Sequence, residues 1–156
     1  MNGKLKNDVE AASTELGYVF TFLLGVLLLS MFAVWTFDIE TSTRQRWNET
    51  AIDANMADIA AAVERADSAS RQGDDVKYAE TVEWRLTEAD ESLFTLSLSD
   101  EGLSLDHDED ELDTTLSISG TGSGEYDGSI SLSGTTQIWV IHENGITRIS
   151  IGGPDF

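Results

Sequence analysis

The stretch Leu16–Phe37, LGYVFTFLLGVLLLSMFAVWTF, contains 22 residues and no charged side chain. As an α-helix it would be about 33 Å long, enough to cross the ~30 Å hydrocarbon core of a membrane. Glu15 and Asp38 bound the run, and aromatic residues lie near both of its ends, where they suit the membrane interfaces. The sequence therefore predicts a transmembrane helix over residues 16–37.

Two other interpretations of this run were weighed. A core helix of a soluble protein would need a large apolar partner, which the acidic remainder of the chain does not offer. A cleaved secretory signal would have an apolar region of about 7–15 residues that ends at small residues. This run is longer and ends in Trp-Thr-Phe-Asp, so we expect the helix to be retained, with residues 1–12 inside the cell and the larger C-terminal part outside.

The charge balance excludes several classes of protein. The chain of 156 residues has nine Lys and Arg against 29 Asp and Glu, a formal net charge of −20, and no cysteine. Without a basic face it is not expected to bind nucleic acid, and without cysteine it has neither disulfides nor thiolate metal sites. With three lysines, the composition resembles proteins of salt-loving archaea, and we expect the fold to depend on molar salt. A merely acidic protein of a non-halophile is the alternative.

The helix is predicted to continue well past the membrane. Residues 41–72 contain no proline or glycine, and Met56, Ile59 and Val63 form the clearest part of an amphipathic stripe. Gly73 is a stop signal, and Ser13 or Thr14 could cap the start. We therefore predict one helix over residues 13–72, apolar over 16–37 and amphipathic over 41–72.

From residue 74 to residue 156 the pattern changes to alternation of apolar and polar residues. It predicts six or seven short antiparallel strands in a small sandwich or barrel, and hence an α+β fold. Asn144-Gly145 is a strong hairpin signal, Asp127-Gly128 a second tight turn, and residues 120–124 a flexible connection. Trp84 and Trp139 are predicted to anchor the core.

The stretch Ala11-Ala12-Ser13-Thr14-Glu15-Leu16-Gly17-Tyr18-Val19 follows a short charged N-terminus and leads into the apolar run. It resembles the processing site and the start of the mature helix in the type IV pilin superfamily, especially haloarchaeal pilins and archaellins. The resemblance implies a leader cut at Ala11 or Ala12 by a prepilin peptidase. It also implies a structural subunit of an extracellular filament, with copies of itself, other pilins, the membrane and pilus assembly machinery as partners. Glu10 stands where the family usually has a basic residue, so an uncut single-pass anchor is the alternative.

Residues of the apolar helix are predicted to mediate this assembly. Gly17 and Gly25, with Thr21 between them, lie near one helical face and would permit close approach of neighbours. By resemblance, Glu15 would pair with the N-terminal amine of a neighbour, although a flanking carboxylate is often only solvated. The full predicted set is Glu15, Leu16, Gly17, Tyr18, Phe22, Gly25, Leu28 and Phe32.

Two further sites are predicted outside the apolar run. Asn48-Glu49-Thr50 is a glycosylation sequon. Asp106, Asp108 and Asp110 alternate as the first ligands of a calcium loop do, but Glu111 and Ser117 replace residues that an EF-hand requires. The segment is consistent either with a loosely bound calcium ion or with a run of charges that are only solvated. No other cofactor is expected.

No catalytic motif accompanies these features. The chain lacks Gly-x-Ser-x-Gly, His-Glu-x-x-His and a Walker loop, so it is not expected to be an enzyme. Besides a filament subunit, the sequence is consistent with a monomeric membrane-anchored extracellular binding module.

Overall fold

The helix α1 extends from Asn2 to Ser70 in the computed structural model of this protein. The structure describes residues 2–73, 75–108, 112–118 and 125–156, with side chains described from residue 15 onward. The helix begins upstream of the predicted start, so capping by Ser13 or Thr14 is wrong. Residues 4–12 include Lys, Leu, Glu and Ala, which are strong helix formers, and no proline interrupts them. Contacts divide the chain into two units, Met1–Arg44 and Gln45–Phe156.

The unit Gln45–Phe156 contains eight strands among its described residues. They are β1 (Tyr78–Glu83), β2 (Phe94–Ser99), β3 (Gly102–His107), β4 (Thr114–Leu116), β5 (Glu125–Asp127), β6 (Ser129–Ser131), β7 (Gln137–Glu143) and β8 (Ile146–Ser150), with a 3₁₀ turn at Glu91–Leu93 before β2. They form two four-stranded sheets, ordered β1-β7-β8-β5 and β4-β3-β2-β6. The predicted α+β class, a long apolar helix followed by a small β domain, is confirmed.

One strand pairing differs from the predicted antiparallel arrangement. β5 runs parallel to β8, whereas the other described pairs are antiparallel. β5 was missed because three residues with one apolar side chain, Tyr126, are too short to show a period of two.

The predicted tight turn at Asp127-Gly128 is instead a corner between the two sheets. β5 ends at Asp127 in one sheet and β6 begins at Ser129 in the other. Gly128 has φ +137°, and a Cβ there would lie 2.9 Å from the carbonyl oxygen of Ile149. Only glycine fits this close approach without a shift of the backbone. By contrast, Asn144 (φ +55°) and Gly145 (φ +82°) form the predicted hairpin turn between β7 and β8, with both residues at positive φ as a type I′ turn requires.

The second half of α1 completes the core of the β domain. One side of the helix is buried together with inward-facing residues of both sheets, and this cluster includes Ile52, Met56, Ile59, Val63, Phe94, Leu96, Leu105, Ile138 and Val140. The predicted stripe Met56, Ile59 and Val63 is therefore confirmed as core. Burial of such side chains contributes roughly 1.5–3 kcal/mol each. Trp84 is buried as predicted, whereas Trp139 is only half-buried, because it lies on the outer side of β7 against Gly153.

A polar network also joins the helix to β1. Arg65 donates two hydrogen bonds to Glu80, from Nε to Oε2 at 2.9 Å and from Nη2 to Oε1 at 2.8 Å, and the hydroxyl of Tyr78 donates to the same carboxylate. The hydrogen bonds from Arg65 hold the pKa of Glu80 below its ordinary value of 4.5. Burial, followed by the bond to Glu80, raises the pKa of Tyr78.

We expect Glu80→Gln to flatten the acid side of the stability profile. Because the pKa of Glu80 is lowered by folding, its ionised form stabilises the protein above pH 4.5, and this contribution is lost as pH falls below that value. Partial exposure limits the effect to about 0.5–1 kcal/mol. Urea unfolding at fixed salt between pH 3 and pH 7 measures it. Glu83→Gln on the same strand is the matched control, and an identical profile for both variants would contradict the prediction.

Candidate assembly surface

The apolar side chains between Leu16 and Ile39 are all solvent-exposed in the single chain. Their exposed fractions range from 46% for Val26 to 74% for Leu16. Such a continuous apolar surface is not stable in water, because monomeric soluble proteins rarely expose apolar patches of more than a few hundred Å². By its length and composition this helix is suitable to cross a membrane.

The threonine and serine hydroxyl groups within the same segment have hydrogen-bond partners in the helix itself. Thr21, Ser30 and Thr36 each donate to the carbonyl oxygen four residues earlier, at 2.9, 2.8 and 2.9 Å. These three hydroxyl groups therefore need no water as a hydrogen-bond acceptor. A polar group can be placed in hydrocarbon only when its hydrogen bonds are made within the protein. The segment is adapted to an apolar environment on every side.

The helix brings half of the predicted assembly residues onto one face. Successive residues turn by about 100°, so Gly17, Gly25, Leu28 and Phe32 fall within an arc of about 80°. Tyr18 lies about 20° beyond this arc, whereas Glu15, Leu16 and Phe22 project further around the exposed helix. The processing residues Ala11 and Ala12 lie in the helix, and their side chains are outside the described part.

The two glycines have no packing role within the chain. A Cβ added at Gly17 or Gly25 would meet no atom within 4 Å. Glycine in a helix interior costs about 1 kcal/mol relative to alanine, and no close approach in this chain explains that cost. Any close approach that their small size allows would therefore be to something outside the chain.

The asparagine of the predicted glycosylation sequon lies within α1 and is half-buried. The Oδ1 atom of Asn48 accepts a hydrogen bond from the backbone N–H of Glu88 at 2.9 Å. About two helical turns further on, Asn55 is fully buried, and its side chain binds both backbone groups of Arg85. Sequence reasoning missed this pairing, although the seven-residue spacing of Asn48 and Asn55 on the apolar stripe was a usable signal. Glycosylation of Asn48 stays a prediction.

The structure describes two of the three predicted calcium ligands. Asp106 is exposed on β3, Asp108 is exposed in the turn that follows, and Asp110 lies outside the described residues. Where the structure describes the chain, no three carboxylate or histidine side chains are grouped to hold a metal ion. His107 is buried against the ring of Phe94, and its backbone N–H donates to Asp113 at 2.7 Å. Loose calcium binding stays a prediction.

Comparison of the chain with protein-family models, curated proteins and solved structures finds no match. A proposal for the function of this protein therefore rests on the arrangement of its own residues.

Proposed function

We propose that this protein is a pilin-like structural subunit. In this proposal residues 16–37 hold it in the cell membrane with the β domain outside, and the same helix later forms the core of an extracellular type IV pilus-like filament. The observation that supports this proposal most directly is the exposed apolar surface of that helix, whose threonine and serine hydroxyls donate hydrogen bonds within the helix.

The two environments need the same surface chemistry. In the membrane the exposed side chains contact lipid, which is as apolar as leucine, so helix association gains little there from hydrophobic burial. Once the helices leave the bilayer, water is excluded only if they pack against copies of themselves, and hydrophobic burial then stabilises the assembly. The face formed by Gly17, Gly25, Leu28 and Phe32 favours this packing, because glycines allow neighbouring helices to approach closely.

The amphipathic half of the helix supports the same proposal. Its buried stripe joins the core of the β domain, with Ile59 and Val63 fully buried. The β domain is thereby built around the same helix that carries the apolar surface, as expected for a subunit displayed on a filament.

Processing and assembly can be tested on protein isolated from its native membrane at molar salt. We expect mass spectrometry to find a mature N-terminus at Ala12, or within one residue of it, and electron microscopy to find fibres. An intact N-terminus in every molecule together with the absence of fibres would overturn the proposal. That result would favour the monomeric membrane-anchored binding module.

A further inference from the structure

One flank of α1 within the unit Gln45–Phe156 exposes a large apolar side chain, Trp47, which is 68% exposed. The segment that follows β1 lies beside the helix, because Asn55 binds both backbone groups of Arg85. Trp47 is presented from the ordered backbone of the helix, which lowers the entropy cost of binding.

The charges on this flank are neutralised in pairs. Asp58 and Arg65 lie within about 20° of Trp47 around the helix axis. Asp58 forms an ion pair with Arg85 at 2.8 Å, and Arg65 forms one with Glu80 at 2.8 Å.

The opposite flank of the helix has a different character. It carries Glu49 and Asp53, and neither has an ion-pair partner among the residues that the structure describes. A chain with a net charge of −20 therefore has one helix flank that is apolar and neutral and another that is acidic.

We infer that the flank formed by Trp47, Ala54 and the pairs Asp58–Arg85 and Arg65–Glu80 is a contact surface for a second copy of this chain. Two copies with this charge repel each other wherever unpaired carboxylates face one another, and the repulsion is smallest where the charges are already paired. An exposed tryptophan flanked by neutralised charge is the residue type that supplies most binding energy in protein interfaces. The inference rests on the proposed function, since the apolar helices are what bring copies side by side.

Photo-cross-linking from single cysteines tests this contact, because the native chain has no cysteine. Ala54→Cys places a benzophenone maleimide on the flank, and Glu49→Cys places it about 140° around the helix, on the acidic flank. Glu49 is exposed whereas Ala54 is half-buried, so accessibility alone would favour labelling and cross-linking from position 49. We expect at least fivefold more dimer of this chain from position 54. Adding Trp47→Ala should reduce that dimer at least fivefold, with tryptophan fluorescence confirming that both variants are folded.

The outcomes separate this contact from the filament itself. Fibres without preferential cross-linking from position 54 would overturn the contact and leave the proposed function intact. Cross-linking without fibres would support the contact and count against the filament. Adducts of position 54 with lipid or with a different protein, identified by their mass, would assign the flank to another occupant and overturn the inference.

Discussion

We expect Asn55→Leu to lower the free energy of unfolding of the β domain by about 2–4 kcal/mol. Asn55 is fully buried and its side chain binds both backbone groups of one residue: Nδ2 donates to the carbonyl oxygen of Arg85 at 2.8 Å, and Oδ1 accepts from the N–H of Arg85 at 3.0 Å. Leucine has a similar size but removes both hydrogen bonds. A partly buried donor and acceptor are then left unpaired, at about 1–2 kcal/mol for each group.

A substitution of the neighbouring Asn48 is the control for the hydrogen bonds of Asn55. Asn48→Ala removes a single hydrogen bond from a half-buried position, so we expect a loss of about 1 kcal/mol. Urea unfolding of the full chain in detergent at molar salt measures both variants. The buried Trp84, next to Arg85, contributes a fluorescence signal for this region. A loss for Asn55→Leu no larger than that for Asn48→Ala would show that the segment after β1 is held by something other than Asn55.

We expect Gly25→Leu to reduce the yield of filaments at least tenfold. A side chain at this position meets nothing within 4 Å in the single chain, so the folded subunit has room for it. Replacing glycine also increases helix propensity by roughly 1 kcal/mol. Any loss of assembly would therefore arise between copies, where leucine prevents the close approach that glycine allows. Sedimentation and electron microscopy of fibres measure the yield.

Ser30→Leu is the matched control for this substitution. Ser30 lies about 140° around the helix from Gly25, is exposed, and donates only to Val26 of its own helix. We expect this variant to assemble nearly as well as the unmodified chain, and extraction from membranes with carbonate should show that both variants are inserted. Equal filament yields from Gly25→Leu and the unmodified chain would show that the face containing Gly17 and Gly25 is not a packing face.

Features that depend on local periodicity and on local backbone conformation are predictable from the residues alone. A run of 22 uncharged residues is sufficient to define an apolar helix, and the spacing of Met56, Ile59 and Val63 correctly gave its buried stripe. The dipeptide Asn144-Gly145 correctly predicted the hairpin turn between β7 and β8, because both residues adopt positive φ at little cost. The sequence also places Gly17 and Gly25 on one helical face, whereas their packing against other copies stays a prediction.

Which distant groups meet is a property of the tertiary fold. The parallel pairing of β5 with β8, the corner at Gly128, the binding of Arg85 by Asn55 and the neutralisation of Asp58 by Arg85 each join segments far apart in the chain. Hydrophobic periodicity indicates which face of an element is buried, but it contains no information on which element lies opposite. Those contacts follow from strand order and from the path of the chain between the two sheets, which a local pattern of residues does not determine.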